Sequence, residues 1–380
     1  MGRAPSTAAL VIRALALVLF LSACTAANPS TTPSPTPTRD PNAFNVTALL
    51  DLSGSRAPSG SAQRDALQLW ADQHTSATLR VKLKTVDIGG SPSKTALEFR
   101  REAVEARADA IIVGAAVDYD DAFANLIQLA QVPVLFTLPI PEPAIRGGGW
   151  AFALAPTPAQ LARFVLDDAA QRSVLASALV VSDESTTAVA DRIAFVTELA
   201  RRQVRANVVT VTPADATQTL RPLLATTSIV LLAGTPRSYL EAARTVTTGT
   251  TLYLSYVCEL GDISDLREAA ALALWPGSRW IAAGAGASSV ARASFVQAYT
   301  DRTGSPPTSV AASAYDALAL LSSAAADGID PAAVRDRLQS GTFAGVATTY
   351  TFSPSRHAGF TAGDLALLRY VGQRSPPAAR

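Results

Sequence analysis

The sequence predicts an α/β fold of two doubly wound parallel-sheet lobes joined by several chain crossings. Three observations carry this. Apolar strand patterns alternate with amphipathic helix patterns, as parallel βαβ units require. The alternation runs through residues 44–138 and starts again after residue 157, so two similar lobes are described. Once an N-terminal leader and a Pro/Ser/Thr tract are set aside, roughly 335 residues remain, long for one core and natural for two.

The first series opens with the strand and Gly/Ser loop "FNVTALLDLSG" (44–54) and the helix "AQRDALQLWADQ" (62–73), where Ala66, Leu69, Trp70 and Gln73 share helical spacing. "LRVKLKTVD" (79–87) alternates strictly between apolar and basic residues, which predicts a strand wet on one side near a sheet edge. A helix over 93–108 follows. "DAIIVGAA" (109–116) and "VPVLFTL" (132–138) are continuous apolar runs, as buried parallel strands are, with the helix "YDDAFANLIQLAQ" between them.

The second series begins at Thr157, an N-cap with Pro158 at the first helical position and Gln160 completing a capping box. Strands are expected at 176–183, 206–213, 228–234, 251–257 and 279–284, with helices between them, the last connection excepted. A tail of three helices follows over 288–304, 308–328 and 331–340. The chain closes in a hairpin-like β element after Gly345.

The N-terminus places the protein. Arg3 and Arg13 are the only charges before Cys24, and about ten apolar residues, "ALALVLFLSA", separate Arg13 from Cys24. That is half of what a membrane-spanning helix needs, roughly 20 residues, and it fits a secretory signal peptide. The join "LSAC" resembles the bacterial lipobox, whose cysteine becomes the lipidated first residue of the mature chain. The tract "NPSTTPSPTPTRDPN" cannot bury a core and reads as an extended tether. The expectation is a signal peptide over 1–23, a lipid on Cys24 with a tether over 24–43, and anchoring to the outer face of the bacterial cell membrane. An ordinary cleaved signal with an incidental cysteine is the alternative.

Composition narrows the function. Removing Arg3 and Arg13 with the leader takes the formal net charge from +1 to −1, so neither nucleic acid nor an anionic membrane surface is an expected partner. With 48% hydrophobic and only 6% aromatic residues, the core must be built from Ala, Val and Leu. Cys258 has no disulfide partner if Cys24 is acylated, and reads as a small buried hydrophobe. His74 and His357 stand alone, so no metal site is expected. No GxxxxGK[ST] or GxSxG motif occurs, and "AGAGASS" (283–289) lacks the third glycine and the following acidic residue of a dinucleotide fingerprint. No cofactor and no catalytic residue are expected. The carboxylate pairs Asp118/Asp120 and Asp167/Asp168 read as solvated.

Specific stretches then raise a resemblance. "TALLDLSGSRAPSGSAQRDALQLWAD" resembles the opening of the type 1 periplasmic binding proteins, in the branch of the leucine/isoleucine/valine-binding protein. Leu52, Ser53, Gly54 and Gly60 match that pattern, with Ser55 in place of the usual proline. "VPVLFTLPIPEPAI" and "WAFALAPTPAQ" keep Pro133, Pro156 and Gln160, while Ala153 stands where the family often has arginine. The tail matches best, at Ala314, Tyr315, Asp316, Ala317, Val334, Arg335, Phe343 and Gly345. The resemblance spans residues 44–372.

The resemblance implies two Rossmann-like lobes on a multi-crossing hinge, closing over a small molecule. It implies lobe I over 44–156 plus 283–340, lobe II over 157–282 plus 341–372, and a tail over 373–380. Ligand positions fall at Ser59, Val117, Asp118, Tyr119, Pro139, Ile140 and Pro141 in lobe I. In lobe II they fall at Thr187, Thr235, Pro236 and the stretch Tyr256–Glu259. Ser59, Val117 and Thr187 replace an aromatic, a serine and a tyrosine that are common there. The implied function is that of a solute receptor delivering its cargo to the permease of an ABC importer of the branched-chain amino acid type, working as a monomer. A receptor-like lipoprotein that senses without transporting is the alternative. In "PIPEP", Pro139 and Pro141 remove two backbone donors. The expected solute is therefore less anionic, larger and more apolar than a branched-chain amino acid, such as an amide or an aromatic compound.

Overall fold

The computed structural model describes residues 43–74, 79–212, 216–233, 250–256, 270–274 and 290–370. Thirteen strands lie in three sheets of these residues.

The first sheet is all parallel, in the order β2-β1-β3-β4-β5. Its strands are β1 (Ala43–Leu50), β2 (Arg80–Asp87), β3 (Ala110–Gly114), β4 (Val134–Phe136) and β5 (Ala151–Ala153). The central runs are buried on both faces, as their unbroken apolar composition requires. β2 is an edge strand; Arg80, Lys82 and Lys84 point to solvent, and Lys84 meets the buried Glu102 at 2.7 Å. Helix α1 (Ala57–Gln73) starts earlier than its apolar spacing suggests, because a 3-10 turn over Gly54–Arg56 leads into it and Pro58 sits in its first turn. Gly60 lets that helix touch β1: a Cβ there would lie 1.9 Å from the Asp51 carbonyl oxygen. Helix α2 (Pro92–Phe99) continues as a π turn to Glu105, and α3 (Asp121–Ala130) packs beyond it. Asp120 caps α3 by accepting from the Phe123 amide at 2.8 Å, so this carboxylate is structural.

The second sheet has the order β13-β10-β9-β8-β6-β7, parallel except for β13. Its strands are β6 (Ser177–Ser182), β7 (Arg205–Thr210), β8 (Ile229–Ala233), β9 (Thr251–Leu254), β10 (Ala270–Leu274) and β13 (Ala366–Tyr370). Helix α4 (Pro158–Gln171) begins in the capping box that Thr157 and Gln160 predict, and packs on α5 (Thr186–Arg201). A short α6 (Ala216–Leu224) precedes β8. Asp167 and Asp168 are not merely solvated. Asp167 meets Arg202 at 2.6 Å, and Asp168 takes both Arg172 and the Tyr253 hydroxyl. The expected helix at 238–246 and strand at 279–284 lie outside the described residues.

Three further helices, α7 (Val290–Thr303), α8 (Ser309–Ala325) and α9 (Pro331–Ser340), follow. α8, nearly all buried, runs against α1, and α7 joins it there. The Tyr299 hydroxyl donates to the Ala62 carbonyl at 3.2 Å, and that of Tyr315 to Gln73, which is exposed rather than on the buried face.

The sequence reading has lobe II resume at residue 341, but the chain stays on the first lobe until Ala358. The hairpin of β11 (Thr342–Ala344) and β12 (Thr349–Thr351) is tied to α8 through Asp316. This buried carboxylate accepts from the amides of Val346 (2.7 Å) and Ala347 (2.8 Å) and from the Tyr350 hydroxyl (3.1 Å). Ala358 then pairs beside Ala153 of β5, and His357 stacks on Phe152. Buried polar groups need partners; lobe I supplies them to Asp316 and His357, while Thr348 Oγ1 donates to Asp364 of the following passage at 2.9 Å. The chain leaves for the second sheet over Gly359–Leu365, and earlier over Leu154–Thr157. Gln160 Nε2 ties the two passages together on the Phe360 carbonyl at 3.3 Å.

Candidate functional site

In parallel α/β sheets, loops at the carboxyl ends of strands form crevices where ligands bind. Here the ends of β3 and β4 face the start of α4 and the length of α5 from Thr186 to Glu198. Between them lies a cavity of about 580 Å³. Its lobe I wall is Ala115–Asp120 with Phe136 and Leu138–Pro143; its lobe II wall comes from α4 and α5.

Seven of the expected residues meet there: Val117, Asp118, Tyr119, Pro139, Ile140, Pro141 and Thr187. Tyr119 is half-buried, with its ring edge-on to Phe123 and Phe136 and its hydroxyl 3.5 Å from the Ala144 carbonyl. Burial pushes its hydroxyl up to about 12, so it is a neutral donor at any physiological pH. Ile140 turns into the lobe I core at 2% exposure, leaving Pro139 and Pro141 to shape the rim. Asp118 is exposed on the same wall.

Two expected residues are placed elsewhere. Ser59 is buried in α1, one turn before Gln63, whose amide nitrogen is 3.4 Å from its hydroxyl. Tyr256 is buried beside a void of about 10 Å³ shared with Pro158, Leu161, Asp191 and Phe195. Neither is among the residues that line the cavity. Thr235, Pro236, Glu259 and Cys24 lie outside the described residues.

The loops of the lobe I wall are held by groups that spacing did not single out. Gln63 is fully buried; its Nε2 donates to the Gly114 carbonyl at 2.9 Å, and its Oε1 accepts from Thr137 Oγ1. It thereby joins α1 to the ends of β3 and β4. Asp51 is buried after β1 and accepts from the amides of Gly90 (2.7 Å) and Ala116 (3.1 Å). The sign of Gln63 in the sequence is its place on the apolar stripe of α1, one turn before Ala66 and Leu67, where a polar residue must be bonded. Nothing in the local pattern marks Asp51.

On the lobe II wall, Glu198 holds Arg201 and Arg202 at 2.5 and 2.8 Å. The Arg201 hydrogen bond leads in lowering this carboxyl to about 2, against the opposing cost of burial. Arg163 brings a positive charge to the same wall. Asp191, one turn after Thr187, is buried; its carboxyl is pushed up to about 7 by desolvation, against a Ser255 hydrogen bond. Among the described residues, no cluster of His, Cys, Asp and Glu could hold a metal ion, and no helix is long and apolar enough to cross a membrane.

Comparison with known proteins matches this architecture. A family model described as periplasmic binding protein matches residues 44–374. No curated protein matches the sequence. Among solved structures, an ABC-transporter solute-binding protein from R. palustris in complex with benzoate superposes with a TM-score of 0.70 at 16% identity, covering 87% of this chain and 96% of that one. The branched-chain amino acid substrate-binding protein LivJ of Streptococcus pneumoniae, in complex with isoleucine, gives 0.67 at 15% identity, covering 86% and 99%. The leucine-binding protein LivK of Thermotoga maritima gives 0.67 at 15%, covering 86% and 97%. The two lobes with their parallel sheets are the type 1 periplasmic binding protein fold.

Proposed function

Because the chain belongs to the periplasmic binding protein family, whose members are extracytoplasmic solute-binding proteins rather than enzymes, we propose that it captures a small molecule between its lobes and delivers it to an ABC importer. The cavity at the lobe junction carries this reading. Its volume of about 580 Å³ lies within the 300–1,000 Å³ typical of small-molecule sites. Its walls come from both lobes, so a bound solute favours the arrangement in which they meet. The lipid on Cys24 and the tether after it would hold the protein on the outer face of the membrane, within reach of a permease.

The lining supports a solute unlike a branched-chain amino acid. Most wall residues are apolar, including Tyr119, Phe136, Leu138, Ile193 and four prolines. Pro139 and Pro141 give no N–H to a carboxylate. Each missing hydrogen bond to a charged group costs about 1.5–3 kcal/mol. The proposed class is a neutral aromatic or amide-bearing compound.

Titration calorimetry with isoleucine, benzoate and benzamide tests this. The expected result is no micromolar binding of isoleucine and tighter binding of benzamide than of benzoate. Micromolar binding of isoleucine would overturn the ligand class. Labelling cells with a clickable fatty acid should mark the wild type and not Cys24→Ser; equal labelling would refute the anchor.

A further inference from the structure

One side chain of lobe I crosses the junction. Arg56 ends the turn after β1, and its Nη1 donates to Thr187 Oγ1, in the first turn of α5, at 3.2 Å. Its Nε lies 3.1 Å from Asp51 Oδ2 but lacks the alignment of a hydrogen bond. The arginine side chain is 15% exposed and that of Asp51 1%. Asp51 is pinned by the amides of Gly90 and Ala116, so it belongs rigidly to lobe I.

We propose that Arg56 is a positioning residue that docks lobe II onto lobe I through Thr187, and thereby sets how far the cavity is closed. A guanidinium this deep needs a countercharge, and Asp51 supplies it within lobe I in every arrangement of the lobes. The Thr187 bond is different, because it exists only while the lobes are together. When they part, Arg56 keeps Asp51 and exchanges a neutral hydroxyl for water. The contact is thus reversible, and it acts on closure rather than on the folding of either lobe. Thr187 also lines the cavity, so a solute that uses its hydroxyl must share or displace Arg56. Lobe closure and solute choice then meet at one side chain. The proposal rests on the reading of two closing lobes but on no particular solute.

The test is hydrogen exchange on the full chain with no solute added, comparing wild type, Thr187→Val, Thr187→Ser and Arg56→Gln. One hydrogen bond to a charged group shifts a closed–open ratio about tenfold or more. Thr187→Val and Arg56→Gln should therefore raise exchange about tenfold in peptides covering 115–123 and 186–196. Thr187→Ser keeps the hydroxyl and should exchange as the wild type does. Helix α8, in the core of lobe I, should be unchanged in Thr187→Val. That variant leaves the Arg56–Asp51 pair intact, so it separates docking from any folding defect of Arg56→Gln. The proposal is overturned if Thr187→Val exchanges like wild type, if Thr187→Ser matches Thr187→Val, or if α8 is accelerated equally. Such a failure would leave solute capture standing, because calorimetry with added solute tests that separately.

Discussion

Gln63→Leu should loosen the lobe I wall of the cavity. The leucine is close to glutamine in volume, so packing is nearly kept and the polar network is what changes. Two strong bonds disappear: Nε2 to the Gly114 carbonyl, 2.9 Å, and Thr137 Oγ1 to Oε1. Each is worth about 1 kcal/mol net. The loss is compounded because the site is dry. Gln63 and Thr137 are both fully buried, and a buried polar group left without a partner costs about 1–3 kcal/mol. Thr137 keeps a weak alternative in the Val113 carbonyl at 3.4 Å. The sum is a destabilisation of about 3–5 kcal/mol, felt at the ends of β3 and β4. Denaturant unfolding gives the total, and hydrogen exchange of residues 114–117 and 137–140 gives its location. A loss below about 0.5 kcal/mol, the range of surface changes, would refute the role assigned to Gln63. So would a loss spread evenly over both lobes.

Two more predictions concern buried carboxylates. At Gly345 a Cβ would lie 2.4 Å from Asp316 Oδ2, and three donors fix that carboxylate, so Gly345→Ala should cost about 2–4 kcal/mol in thermal or denaturant unfolding; a neutral substitution would refute the tie between α8 and the hairpin. Desolvation holds the Asp191 carboxyl at about 7 in the folded protein, against 3.8 ordinarily. The folded state therefore binds an extra proton between about pH 4 and 7, and the stability this confers is full below that window and lost as pH rises through it. His357, lowered chiefly by burial, acts in the opposite sense, so the comparison is made against Asp191→Asn. From pH 5 to pH 8 the wild type should lose denaturant resistance relative to that variant, and parallel pH profiles would contradict the assignment.

The fold was legible where local pattern and burial agree. β3, β4, β6 and β8 are unbroken apolar runs because both faces are covered, and the alternation of β2 marks an edge. The capping box at Thr157 shows the start of lobe II directly. What escaped depends on distant partners. β5 is three residues long and is defined by pairing with β4. The lobe on which 341–358 packs follows from Asp316: the "Ala-Tyr-Asp-Ala" motif supplies the carboxylate and Gly345 of "Phe-x-Gly" leaves room for it, while the donors are Val346, Ala347 and Tyr350. At the site, chain order after each strand brought Val117, Tyr119, Pro139 and Thr187 to one cavity. Ser59 and Tyr256 are buried and off the cavity wall, since neither spacing nor resemblance reports which way a side chain turns. Arg56 was silent, because its meaning lies in a residue of the other lobe.

If the junction cavity is where a solute is held, filling it should prevent capture. Ile193 is on its wall and 60% exposed, and Val117 faces it from the other lobe. Tryptophan at either position fills the space from one side; Ile193 is exposed, while Val117 is partly buried against the lobe I core. Solutes are first identified by a thermal-shift screen that includes benzamide, benzoate and isoleucine. A ligand at 100 times its Kd adds about 2.7 kcal/mol of stability. Calorimetry then compares wild type, Val117→Trp and Ile193→Trp, with unfolding curves to confirm that each variant is folded. Both variants should lose affinity for the identified solute by at least about tenfold, roughly 1.4 kcal/mol, while remaining folded. A solute bound with unchanged affinity by both folded variants would show that capture takes place somewhere else.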